Sequence, residues 1–272
     1  MKIKNFKRLL CTMLCGGVLF ASGCSTENGD DTMANNNATA DTIAAANTVT
    51  AAAEETTTAD TRVYDKICAL TFDDGPNTDT TPLVLDKLEE HGIVGSFFLV
   101  GNNINPQTAE VVKRAYDMGC EIGNHSKTHS AMPDMTAEDI KAEISFTDNK
   151  IIEITGEAPK FFRPPYIAVN DTMFEAIEQP FIAGYGANDW EPQILADERA
   201  EKIISQAKDG CIFLLHDASG NIQTVNALDK IITTLKDQGY EFVTVSELFE
   251  RKGIEPRDGI IYSFAEQTTM YG

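Results

Sequence analysis

The sequence predicts an α/β fold: a parallel sheet of seven strands, covered by helices and closed into a distorted seven-stranded β/α barrel. Three observations predict it. From residue 66 onward, short apolar runs alternate with segments of helical spacing, unit after unit. The apolar runs are near-continuous, as strands buried on both faces are. No glycine-rich G-x-G-x-x-G turn follows the first of them, which argues against an open doubly wound sheet, the other arrangement such an alternation allows.

The expected strands are 66–72, 95–101, 120–126, 161–166, 181–186, 210–216 and 240–245. The first expected helix, 81–90, has Pro82 in its first turn and Gly92 just past its end, the usual start and stop residues. Further helices are expected at 106–118, 136–154, 171–178, 197–208, 223–238 and 246–252. One folded domain then spans 61–252. Residues 253–272 form a C-terminal extension with no clear pattern, expected to pack on the outside.

The first 60 residues are of another kind. Lys2, Lys4, Lys7 and Arg8 precede an apolar segment, 9–20, too short for the ~20 residues that cross a bilayer. It ends Ala21-Ser22-Gly23-Cys24, small residues before a Cys. That resembles a bacterial lipoprotein signal, so 1–23 reads as a signal peptide and Cys24 as the lipidated residue of an exported, membrane-anchored protein. The alternative is ordinary cleavage and secretion. Residues 24–60 are rich in Thr, Ala and Asn, with no aromatic residue, and read as a disordered tether. Such a coil averages roughly 30–35 Å end to end.

The formal charge is −20, and the first 23 residues contribute only positive charge. This excludes a nucleic-acid partner, which needs basic patches; an uncharged polymer or a cation suits the surface better, and no obligate protein partner is evident. Beyond Cys24 only Cys68, Cys120 and Cys211 remain, each in or beside an apolar run. They read as buried thiols and not as a disulfide framework.

Polar groups gather at the C-terminal ends of the expected strands, the rim where strand–helix barrels build active sites. After the first strand come Asp73 and Asp74, with Gly75-Pro76 as the turn. Adjacent strand residues point to opposite sides, so the two carboxylates are expected to do different work. After the third comes His125-Ser126-Lys127-Thr128-His129; at the fourth sits Arg163-Pro164-Pro165-Tyr166; after the fifth comes Asp189-Trp190; ending the sixth are His216 and Asp217. Three of the four histidines lie on this rim; the fourth, His91, ends a helix, where a surface role suffices. His125 and His129 can converge on one ion, and with Asp74 they make a two-histidine, one-carboxylate set that leaves coordination positions open. Zinc is the first expectation. Non-haem iron oxygenases use the same ligand types, but on all-β scaffolds.

The ordered set Thr71-Phe72-Asp73-Asp74-Gly75-Pro76, His125 to His129, Arg163 to Tyr166, Asp189-Trp190 and Leu214-Leu215-His216 resembles the polysaccharide deacetylases, carbohydrate esterase family four or the NodB-homology domain. The resemblance covers about residues 64–250. It implies a distorted seven-stranded β/α barrel and a divalent metal, usually zinc, with acetyl groups removed from sugar polymers. Asp74, His125 and His129 would hold the metal. Asp73 would be the general base and Arg163 its partner. The Tyr166 backbone N–H would stabilise the oxyanion, His216 would be the general acid, and Asp189 would tune it. Trp190 and Leu214 would wall the acetyl methyl, with core packing as the other role open to Trp190. Many members carry a further Asp three residues before the Asp–Trp pair, where this chain has Gly186. The later part of the chain looks more like acetylxylan-esterase-type members, while a membrane tether also suits wall peptidoglycan. Two further readings stand beside the enzyme: an inactive carbohydrate-binding derivative of the same fold, and a tethered solute-binding lipoprotein. The intact set of base, ligands and acid disfavours the first, and the single seven-unit domain disfavours the second.

Overall fold

The computed structural model describes residues 64–270. The expected signal peptide, Cys24, the tether and residues 61–63 lie outside the described residues.

In chain order the elements are β1 (Lys66–Asp73), α1 (Thr80–Glu90), β2 (Ser96–Leu99), α2 (Pro106–Asp117), β3 (Glu121–Asn124), α3 (Ala137–Thr155), α4 (Asp171–Ala176), β4 (Phe181–Ile182), β5 (Tyr185–Gly186), α5 (Ala196–Ser205), β6 (Cys211–His216), α6 (Ile222–Asp237), β7 (Tyr240–Phe242), α7 (Val245–Lys252) and β8 (Ile261–Tyr262). Four of the helices, α2, α3, α4 and α7, start where a short polar N-cap side chain accepts an orphan backbone N–H. Asn105 caps α2 in a full capping box with Pro106 behind it, and Thr136 and Thr244 cap α3 and α7. Gly156 and Gly253 close α3 and α7 in left-handed conformation.

Every pairing between named strands is parallel. The main sheet runs β3-β2-β1-β6-β5, with β7 beside the first half of β1. Alternate residues of β1 feed two cores. Cys68, Leu70 and Phe72 pack with the inner faces of α1 and α6, including Leu85, Leu88 and Leu228. Ile67 and Ala69 face Ile182, Ile212 and Tyr262. Burial on both faces is why β1 reads as one apolar run. The register sets Asp73 beside His216 and Leu99 beside Asn124, so the chemical groups at the strand ends share one edge. Cys68, Cys120 and Cys211 are buried free thiols, as expected.

Three expected elements differ. The fourth strand is reduced to bridges from Phe162 to Asn124 and to Phe181; Pro164 and Pro165 have no N–H to continue a ladder. The fifth is split into β4 and β5 at Gly184, whose φ of +155° and close approach (an added Cβ would sit 2.9 Å from Leu214 Cβ) suit glycine alone. The tail is not merely on the outside. β8 pairs with β4, and Ile260, Ile261, Tyr262 and Ala265 are buried. Those two-residue strands are too short for any periodicity to announce them.

Candidate active site

Asp73 and Asp74 sit where β1 ends, and the turn beyond them is unusually tight. An added Cβ on Gly75 would lie 2.5 Å from Asp217 Oδ2, while the Gly75 N–H donates to Asp217 Oδ1 at 3.1 Å. Asp217, on the loop after β6, also accepts from Thr81 Oγ1 at 2.5 Å. Burial, with the charges of Asp74 and Asp73, raises Asp217 to about 7 against the Thr81 hydrogen bond. It therefore anchors the turn behind the two carboxylates.

The two carboxylates make different contacts. Asp73 is buried, and its Oδ1 accepts from Arg163 Nη1 at 2.6 Å. Burial pushes Asp73 up, but Arg163, with His125 and His216, overcomes that and holds it below its ordinary value. Arg163 is itself wholly buried; it donates to the Ala183 carbonyl at 2.5 Å and lies 4.2 Å over the Phe98 ring. Its orientation is thus fixed from three sides.

Asp74 faces the histidines. Its Oδ1 is 3.3 Å from His129 Nε2 and 3.6 Å from His125 Nε2. That oxygen is buried and, among the described residues, has no hydrogen-bond partner. A buried carboxylate oxygen left so is costly unless a cation completes it. His125 Nδ1 lies 2.6 Å from the Arg163 carbonyl, which only accepts, so Nδ1 carries the proton and Nε2 offers a lone pair to the cavity. Burial lowers His125 despite the charges of Asp73 and Asp74, which favours the neutral, ligating form. Asp74, His125 and His129 offer ligand atoms all within 4.8 Å of one another. The donor set fits a divalent cation.

The histidines converge through a loop and not from adjacent helical turns. Asn124 Oδ1 accepts from the Ser126 N–H at 2.7 Å, Ser126 Oγ from the His129 N–H at 3.0 Å, and Glu143 Oε2 from the N–H groups of Lys127 and Thr128. Glu143, on α3, carries no motif signal: it borders the buried stripe of Ile140, Ile144 and Thr147, where a half-buried carboxylate is ordinary.

His216 lines the same cavity as Asp74, His125 and His129. Its Nδ1 is 2.7 Å from Asp189 Oδ1, and its backbone N–H donates to Asp189 Oδ2 at 2.7 Å. Burial opposes the charged imidazole, but Asp189, with help from Asp73 and Asp74, raises it to about 9. The Trp190 ring sits edge-on to His216 with centroids 5.6 Å apart, and Tyr166 sits edge-on to His129 at 4.8 Å.

These side chains line one cavity of about 480 Å³, formed by Asp73, Asp74, His125, His129, Pro164, Tyr166, Ile167, Trp190, Leu214 and His216. Arg163 and Asp189 stand behind it. A polar groove of about 580 Å³ lies beyond Asp74, lined mostly by Asn, Thr and Gln. Its side chains mostly serve turns and caps, so the chemistry belongs to the smaller cavity. Among the described residues, six that are not glycine have positive φ: Asp74, Ser126, His129, Tyr166, Ile167 and Asn188. Four line the cavity and the other two neighbour His125 and Asp189. Conformations that cost on the order of 1–3 kcal/mol each persist where function requires them.

The α/β fold thus gathers a two-histidine, one-carboxylate set, a guanidinium-bound carboxylate and a carboxylate-bound imidazole around one cavity, the components that metal-assisted hydrolysis requires. Comparison with known proteins makes this specific: residues 60–181 match the family model for polysaccharide deacetylase. A bifunctional xylanase/deacetylase of Pseudobutyrivibrio xylanivorans is 53% identical over 191 residues, covering 70% of this chain and 32% of its own length. A peptidoglycan-N-acetylglucosamine deacetylase of Bacillus cereus is 38% identical over 197 residues, covering 69% of this chain and 90% of its own. The structure of a family 4 acetyl xylan esterase from Clostridium thermocellum, in complex with a cobalt ion, superposes with a TM-score of 0.72 at 41% identity, covering 74% of this chain and all of that one. The chain belongs to the polysaccharide deacetylase family. It spans about a third of the length of the bifunctional relative.

Proposed function

We propose that this chain is a divalent-metal-dependent deacetylase that hydrolyses acetyl groups on sugar polymers, with O-acetylated xylan as the first substrate. The observation that carries the reaction is the orphaned Asp74 Oδ1 facing two histidines, with Asp73 and His216 on the same cavity. The xylan assignment is supported by the names of two relatives, a xylanase/deacetylase and an acetyl xylan esterase. The Bacillus cereus relative, matched over most of its length, supports N-acetyl groups of peptidoglycan as a second reading.

Asp74, His125 and His129 would hold the metal, zinc by preference for such a donor set. When bound, the cation supplies Lewis acidity for the acetyl carbonyl and for the attacking water. Asp73 has Oδ1 occupied by Arg163, so Oδ2 takes the water's proton. A depressed pKa keeps Asp73 ionised at neutral pH. The Tyr166 N–H is assigned to the developing oxyanion. His216, charged at neutral pH, gives its proton to the departing sugar oxygen or nitrogen, and Asp189 holds it in place. Trp190 and Leu214 receive the methyl. The inactive binding derivative is not favoured, since base, ligands and acid all reach the cavity.

The bridges at Phe162, together with β4, β5 and β6, support a distorted barrel. Outside the described residues, the basic and apolar start and the small residues before Cys24 support export and lipid anchoring. Changing Cys24 to Ser should move the chain from membrane to soluble fractions, and persistence in membranes would exclude that anchor. The decisive experiment is acetate release from acetylated xylan and from N-acetylglucosamine oligomers, after chelation and after zinc is restored. Zinc-dependent release supports the reading; no release from either by folded, zinc-loaded protein sinks it.

A further inference from the structure

Arg199 lies on α5, in a run of charges, yet it is 1% exposed. Its four acceptors are neutral: the Ile194 and Glu191 carbonyls, Asn221 Oδ1 and Thr224 Oγ1. A buried guanidinium needs a counter-charge close by. Asp189 is the nearest the hydrogen bonds reach, one hydroxyl away. Burial works against charged Arg199, and Asp189 counters it.

The hydroxyl between them has a fixed direction. Arg199 Nη1 can only donate, so Thr224 Oγ1 accepts from it at 2.8 Å and gives its single proton to Asp189 Oδ2 at 2.7 Å. Asp189 Oδ2 thus accepts from Thr224 and from the His216 backbone, which leaves Oδ1 aimed at His216 Nδ1. A second route runs through Asn221, which accepts from Arg199 and donates to the His216 carbonyl at 2.9 Å. A third holds the loop after Trp190, by the Glu191 and Ile194 carbonyls. The first route ends on the imidazole, the second on the backbone of His216, and the third on the backbone just after Trp190.

We propose that Arg199 and Thr224 are positioning residues for the proposed reaction, holding Asp189, and through it His216, in the orientation that delivers a proton to the leaving group. This rests on the deacetylase reading above. A side chain that acts only through His216 matters in proportion to how much the leaving group needs a proton. A sugar amine cannot leave without one, whereas 4-nitrophenolate can.

The experiment compares the parent with Thr224→Val, which keeps the side-chain shape and deletes the hydroxyl, and with Arg199→Met and Arg199→Lys. Zinc-dependent turnover is measured on N-acetylglucosamine oligomers and on 4-nitrophenyl acetate, with thermal unfolding as the check on folding. Thr224→Val should lose roughly ten- to a hundred-fold on the oligomers, the worth of a hydrogen bond to a charged group. It should stay within about two-fold on 4-nitrophenyl acetate. Arg199→Met should show the same asymmetry, and Arg199→Lys should recover part of it. Equal losses on both substrates, or no loss on the oligomers, would overturn the assignment. The His216 Nδ1 proton, followed by nuclear magnetic resonance, gives a readout independent of turnover: it should be protected in the parent and exchange faster in Thr224→Val, and an unchanged signal also overturns the assignment. A parent that releases no acetate from any glycan would defeat the functional reading, while this proton still decides the positioning.

Discussion

Replacing Asp189 by Asn exchanges one oxygen for an NH2 group in a wholly buried position. Oδ2 serves two donors, the His216 backbone N–H and Thr224 Oγ1. The Asn oxygen must keep those donors, so its NH2 faces His216 Nδ1 and donates to it. The neutral imidazole is then forced to carry its proton on Nε2, and the carboxylate that favours its charged form is gone. His216, raised to about 9 in the parent, should fall toward the ~6.5 of an isolated imidazole. That gap is roughly 3 kcal/mol of support for imidazolium. At pH 8 the acid form would drop from about nine-tenths of the molecules to about three in a hundred. Added to the misorientation, the loss should reach about 10²–10⁴ in turnover, the usual worth of a general acid. The assay is kcat against pH for acetate release from N-acetylglucosamine oligomers. The parent should decline as pH rises through about 9, and the variant should decline from much lower pH. An alkaline limb that stays in place, with near-parental kcat, would refute His216 as the acid. Stability carries the same sign. The contribution from charged His216 is full below ~6.5 and is lost as pH rises through about 9, so the variant should show less of this loss.

Three further outcomes are expected. Asp73→Asn should retain zinc and lose about 10²–10⁴ in turnover; parental turnover would remove Asp73 as the base. Asp74→Ala should lose zinc on dialysis, read by metal analysis, and retention of one equivalent would exclude it as a ligand. Tyr262→Ala should cost about 3–5 kcal/mol in denaturant unfolding, as for other large buried aromatics, and a cost under about 1 kcal/mol would mean that β8 is not part of the core.

What could be read from the chain without its fold was whatever the local pattern carries. β1 announces itself because burial on both faces makes its sequence uniformly apolar, and Gly75-Pro76 marks its end, so Asp73 and Asp74 stand at a definable place. The helix starts are found within one residue and the ends within three, because start and stop residues such as Pro82 and Gly92 are local devices. β8 escaped because two residues carry no period, whereas the strand expected at 161–166 shrinks to bridges at Phe162 because Pro164 and Pro165 cannot continue a ladder.

The supporting residues escaped for a different reason. Arg199 sits among Asp197, Glu198, Glu201 and Lys202, and composition alone makes it a solvated charge. Yet its buried neighbours on α5, Ala200 and Ile203, place it on the inward stripe. An arginine within an apolar stripe is a signal that helical spacing could have raised. Thr224 gives no such sign, since a buried threonine on an inward helix face is ordinary. The left-handed backbone at Asp74, His129 and Tyr166 is equally silent, because Asp and His are only enriched at positive φ, never confined to it, and Tyr does not favour it. The groups proposed to react were therefore readable as types in order, whereas their orientation depends on hydrogen bonds from α1, α3, α5 and α6. Substitutions among the aiming residues should leave the motifs intact and still change turnover. A chain with every motif present can for this reason be a poor enzyme, and Arg199 and Thr224 are where that should be tested.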